Sequence, residues 1–120
     1  MLPGLKFDHV GIPTDDRQPN ENWVEETRVW VTSPREHKYG VEFLRYEPDS
    51  QCPTELQRLP HVAYRVPLGT LDDWTHRYHV LLEPFEAQKA FLRVSFVMIN
   101  GGAVEFMEFA GDPEQWFPNE

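Results

Sequence analysis

Two histidines and two glutamates carry most of the chemical potential of this chain. His9 and His61 sit in matching runs, Asp8-His9-Val10-Gly11 and Pro60-His61-Val62-Ala63. Glu42 and Glu105 sit in a second matched pair, Gly40-Val41-Glu42-Phe43-Leu44-Arg45-Tyr46 and Ala103-Val104-Glu105-Phe106-Met107-Glu108-Phe109. All four runs read as strands, whose side chains alternate between faces. By alternation His9 shares a face with Phe7 and Gly11, and Asp8, Val10 and Ile12 take the other. His61 shares a face with Ala63 and Arg65, Glu42 with Leu44 and Tyr46, and Glu105 with Met107 and Phe109. Two imidazoles and one or two carboxylates converging in one cup would form a shell for zinc, nickel, manganese or iron. An open position in that shell would polarise a water or a substrate oxygen. Arg65, on the His61 face, could clamp a carboxylate or phosphate.

The elements that must position these residues follow from pattern. Strands are expected at 5–12, 27–32, 41–47, 61–66, 92–99 and 103–109, each apolar or alternating and bounded by turn residues. Asn100-Gly101-Gly102 between the last two is a hairpin signal. The polar stretch 14–22 (TDDRQPNEN) reads as loop, and 48–60, with its prolines, as a linker. One helix is expected, over 70–78. There Thr70 and Asp73 form a capping pattern, and Leu71, Trp74 and Tyr78 share a face. The His-Val runs are offset by 52 residues and the Val-Glu-Phe runs by 63, so the chain repeats itself with a difference of 11 residues. The second half holds the helix where the first holds the polar loop, which predicts a first half whose helix is missing or shortened. Module one then covers about 5–48, the linker about 48–60, module two about 61–110 and an irregular tail 111–120, the tail packing through Trp116 and Phe117.

Composition bounds the function. A chain of 120 residues fits one domain, and its formal net charge of −9 argues against binding to nucleic acid or to an anionic membrane surface, which require a basic face. A single cysteine, Cys52, excludes an internal disulfide framework and any Cys-x-x-Cys site. No apolar run is long enough to span a bilayer, and the first residues do not read as a signal peptide. A cytoplasmic protein is expected.

The runs FDHVGI, HVAYRV and VEFMEF resemble the three signatures of the vicinal oxygen chelate superfamily. That group includes glyoxalase I, methylmalonyl-CoA epimerase, fosfomycin-resistance thiol transferases, extradiol dioxygenases and bleomycin-resistance binding proteins. The resemblance extends from residue 5 to about residue 110. It implies an α+β, glyoxalase-like domain of two βαβββ modules forming a cupped half-barrel, and a homodimer. Carried over position by position, it implies a divalent metal held by His9, His61 and Glu105. Glu42, the counterpart of Glu105 in module one, would be a fourth ligand or a catalytic base.

Three activities compete with a fourth reading, a degenerate scaffold domain suggested by the shortened first module. The first is a metal-dependent lyase, isomerase or epimerase acting on a small carbonyl or carboxylate compound. Its metal stabilises an enolate while Glu42 or Glu105 moves the proton, and Arg65 and Tyr46 are the candidate substrate contacts. The second is a metal-free binding protein of the bleomycin-resistance type, its acidity steering a cationic ligand. The matched ligands argue against it. The third is a non-haem iron oxygenase, which uses two histidines and one carboxylate. Other reactive groups have plainer readings. His76 and His79 fit a solvated helix face, His37 a polar loop, Trp30 and Trp74 packing positions, and Cys52 lacks a base nearby.

Overall fold

The computed structural model describes residues 4–116. Eight strands join in one sheet: β1 (Lys6–Pro13), β2 (Asn22–Val24), β3 (Val29–Val31), β4 (Val41–Tyr46), β5 (His61–Arg65), β6 (His79–Gln88), β7 (Leu92–Ile99) and β8 (Gly102–Phe109). Two one-turn helices accompany them, α1 (Thr54–Arg58) and α2 (Leu71–Thr75). The strand order is β2-β3-β4-β1-β5-β8-β7-β6. β1 and β5 run antiparallel at the centre, and each pairs in parallel with the last strand of its own half, β4 or β8. The remaining neighbours are antiparallel. The sheet curls into a nearly closed cup. Mixed α+β content dominated by strands is therefore as expected, and no helix among the described residues is long and apolar enough to cross a membrane.

The expected turn chemistry is present. Asn100 and Gly101 take φ of 51° and 84°, and Ile99 pairs with Gly102, the two-residue turn that matches strand twist. Inside the cup, Leu92, Val94, Phe96, Ala103 and Met107 form the main core. Leu56 of α1 plugs it, so the stretch expected as plain linker carries a helical turn with one buried anchor. On the convex side α2 lays Leu71 and Trp74 against Val66, Val97 and Phe106.

Helix α2 is shorter than the pattern predicts, and its cap differs. The Thr70 hydroxyl donates to the Pro67 carbonyl at 2.6 Å rather than capping the helix. The orphan amides of Gly69 and Leu71 instead donate to Glu108 Oε2 on β8, at 2.8 and 3.0 Å. A carboxylate reaching across space does the work assigned to the local motif.

No helix stands between β1 and β2; residues 14–21 are loop. Polar and aromatic groups cover that flank instead. Trp23 and Trp30 stack with ring centres 4.9 Å apart, and Arg45 lies over Trp30 at 5.7 Å. Glu21 of the loop grips Arg45 through two hydrogen bonds of 2.7 and 2.8 Å.

Two strands go beyond the sequence expectation. β2 has only three residues. β6 contains Pro84 and three register shifts against β7, and as an edge strand it tolerates both.

If Glu108 is the cap, Glu108→Ala should lower unfolding free energy by about 1–3 kcal/mol, and Thr70→Ala by about 0.5 kcal/mol or less. Urea denaturation of both variants checks the order.

Candidate metal centre

The register of the four central strands builds the site in two adjacent rows. In one, Glu42 on β4, Gly11 on β1 and His61 on β5 are successive cross-strand partners. In the other, His9 on β1, Ala63 on β5 and Glu105 on β8 are successive partners. Each row places a small residue between a histidine and a glutamate. Backbones two strands apart are about 10 Å from each other, so the long side chains must lean inward over the small one. Gly11 meets the stricter demand. A Cβ there would lie only 2.1 Å from His61 Cε1.

All four side chains are buried, with His9 0%, His61 1%, Glu42 3% and Glu105 5% exposed. Their ligand atoms lie within 4.8 Å of one another. His9 Nε2 is 3.3 Å from Glu42 Oε1 and 3.4 Å from Glu105 Oε1. His61 Nε2 is 3.1 Å from Glu105 Oε1 and 3.8 Å from Glu42 Oε1. An ion with nitrogen and oxygen ligands at about 2.1 Å has ligand atoms roughly 3.0–3.4 Å apart. Most of these separations match the edges of such a polyhedron. His9 Nε2 is also buried without a hydrogen-bond partner of good geometry, which is rare for a polar atom. The donor set, the spacing and the orphaned nitrogen all fit a divalent cation.

Asp8 is the main departure from alternation. The β1–β5 register shifts between Phe7 and His9, a bulge that turns the Asp8 carboxylate inward although the pattern assigns it to the opposite face. His9 Nδ1 donates to Asp8 Oδ1 at 2.5 Å, so that Nε2, once it loses its proton, is the nitrogen that faces the cluster, the arrangement of a carboxylate supporting a metal-bound histidine. Asp8 in turn accepts two hydrogen bonds from Arg35, at 2.7 and 3.0 Å, and one from Arg65 Nε at 2.8 Å. Arg35 also donates to the Pro113 carbonyl at 3.1 Å and lies over the Trp116 ring at 5.7 Å. The tail therefore packs through Trp116, whose ring centre is 5.6 Å from that of His9; Phe117 lies outside the described residues.

Electrostatics separate the two glutamates. Burial raises the pKa of Glu42, and the nearby charge of Glu105 adds to that against the pull of His9. Burial also disfavours charge on Glu105, but the bonds from His61 and His9 prevail and hold it below the usual range. For His9 burial is again outweighed, here by the Glu42 charge and by Asp8, so its pKa stands well above the usual imidazole value. Burial opposes ionisation of Asp8 as well, yet His9 and Arg35 keep its carboxyl well below the carboxylate range.

An apolar cleft opens over Glu42 and Glu105. Tyr46 lines it, as the β4 alternation predicts, and burial keeps its phenol un-ionised. Arg65 is not among the lining residues; its Nε is bound to Asp8. Burial raises the Cys52 thiol, the direction opposite to nucleophile activation. His76 pairs with Glu83 at 2.7 Å on the surface, and His37 Nδ1 accepts the Tyr39 amide at 3.0 Å. Sequence reasoning missed Asp8 and Arg35. Asp8 immediately precedes His9 and carried a visible signal, whereas Arg35 carried none beyond its Ser-Pro turn.

Comparison with solved structures finds a hypothetical protein from Bacillus halodurans C-125, 15% identical, with a TM-score of 0.66 over 90% of this chain and 96% of that one. The likeness is one of fold. No family model matches the chain, and no curated protein matches it.

Gly11→Ala, His9→Ala and His61→Ala should each bring bound divalent metal from about one per chain to background by elemental mass spectrometry, with circular dichroism preserved. Unchanged metal content in all three would refute the site. Metal must also displace the proton on His9, whose pKa is raised. Apparent affinity should therefore fall as pH decreases, starting above about 6.5. Metal titrations at several pH values check the sign.

Proposed function

We propose that the protein is a metal-dependent lyase, isomerase or epimerase of the vicinal oxygen chelate type, moving a proton beside a carbonyl or carboxylate of a small oxygenated substrate. One observation carries the reading: Glu42 and Glu105 belong both to the histidine cluster and to the wall of the apolar cleft. A substrate seated in the cleft meets ligands and proton carriers together. The repeated strand order supports two βαβββ modules, the first without its helix.

His9, His61 and Glu105 would hold a divalent cation, which would supply Lewis acidity toward negative charge on a substrate oxygen. Glu105 suits the resident ligand role, being the carboxylate closer to His61 and the one held anionic. Glu42 suits the proton carrier. It lies 3.8 Å from His61 Nε2, and two neighbouring carboxylates with opposed pKa shifts are the usual division between fixed charge and general acid or base. In this reading Glu42 Oε takes the proton from the carbon and returns it. Asp8 fixes the His9 ring, with Arg35 and Arg65 holding Asp8. Tyr46 and the apolar wall orient the substrate body, and the low-dielectric cleft excludes competing water. The fourth ligand-grade group, Glu42, favours proton transfer over the oxygenase reading, whose triad needs only one carboxylate.

The test is exchange of carbon-bound hydrogen in D2O, followed by NMR, for a panel of small 2-oxo and 2-hydroxy compounds with metal-loaded protein. Exchange should occur with at least one member and fall about 10²- to 10⁴-fold in Glu42→Gln, with metal content retained. A chain that takes up no divalent ion, or a loaded one that exchanges none of the panel, would overturn the proposal.

A further inference from the structure

We infer that the site takes a substrate with an uncharged, apolar body, and that it takes no phosphate, glutathione or coenzyme A portion. The inference rests on the proposed function and narrows its substrate.

The cleft separates two apolar clusters. Val24, Val29, Val31 and Leu44 form one. Val94 and Phe96 present the other from across the cup. The residues lining the gap include no lysine, arginine or histidine, and its only ionisable acids are Glu42 and Glu105 at the floor. Val24 on edge strand β2 and Phe85 and Ala87 on edge strand β6 both line it, so the cleft runs along the seam where the sheet fails to close.

Charge balance points the same way. Two neutral imidazoles, two carboxylates and one dication sum to zero, so the loaded centre offers no excess positive charge to a multiply charged anion. The guanidinium groups beside His9 face Asp8 instead of the cleft, Arg35 through two hydrogen bonds and Arg65 through Nε. An anionic tail in the cleft would lose its hydration without gaining a partner. An apolar body would fill a void that is otherwise costly between two hydrophobic clusters.

Hydroxamates, which chelate through two oxygens, provide the test. The protein is loaded with cobalt(II), its metal content measured, and binding followed by the visible cobalt spectrum and by calorimetry. Benzohydroxamate should bind at least about 10-fold more tightly than acetohydroxamate, and the monohydroxamate of succinic acid at least about 10-fold more weakly than benzohydroxamate. Ala87→Phe, which fills the cleft from an edge strand, should remove the advantage of benzohydroxamate and leave acetohydroxamate binding and metal content unchanged. If that variant does not fold, the three-probe series on the natural chain decides alone. Equal binding of the charged and aromatic probes would overturn the substrate class while leaving the metal centre standing. Failure to take up cobalt would overturn both.

Discussion

The register between β1 and β5 is the constraint on which the rest depends. It sets Gly11 opposite His61 and Ala63 opposite His9, so that each histidine ring has a small neighbour to lean across. A slip of β1 by one residue would turn His9 out of the cup. The parallel neighbours then add one carboxylate from each side. Convergence of four ligand atoms thus comes from strand pairing and side-chain size, and loop conformation contributes little to it.

This arrangement opposes stability in the metal-free chain. Two carboxylates and two imidazoles are buried together, and burial opposes charge on His9, Glu42 and Glu105 alike. Mutual attraction offsets part of that desolvation, and Asp8 with its arginines offsets more. Groups whose pKa values are pushed apart in this way are characteristic of functional sites. The hydrophobic clusters on either side, together with the Glu108 cap on α2, supply stability that the centre itself does not. The cleft adds to the same trade-off, since its volume is core left unfilled.

Much of this was legible in the sequence. The four residues of the cluster declared themselves through matched runs, because a strand carries its inward residues at period two and both halves preserve the pattern. The Asn100-Gly101 turn was legible because few other pairs adopt two successive positive φ angles. What escaped were features that break a period or act across space. A bulge carries Asp8 to the His9 side, against alternation. β6 hides behind Pro84 and its register shifts. The cap of α2 comes from a residue 37 positions downstream of Leu71, so the local Thr70–Asp73 pattern pointed to the wrong carboxylate. Arg35 joins Asp8 to the tail segment, a contact between residues 78 positions apart in the case of Pro113, which no window of sequence displays.

The parallel pairing of β5 with β8 has a kinetic consequence. Its first ligand stands at position 9 and its last at position 105. Contacts of such long sequence separation form slowly, because loop closure must precede them. In a chain synthesised from its amino terminus, the centre therefore has no complete ligand set until β8 has emerged and docked beside β5. Any metal capture there would be a late event, since an ion arriving before β8 would meet His9, Glu42 and His61 without Glu105.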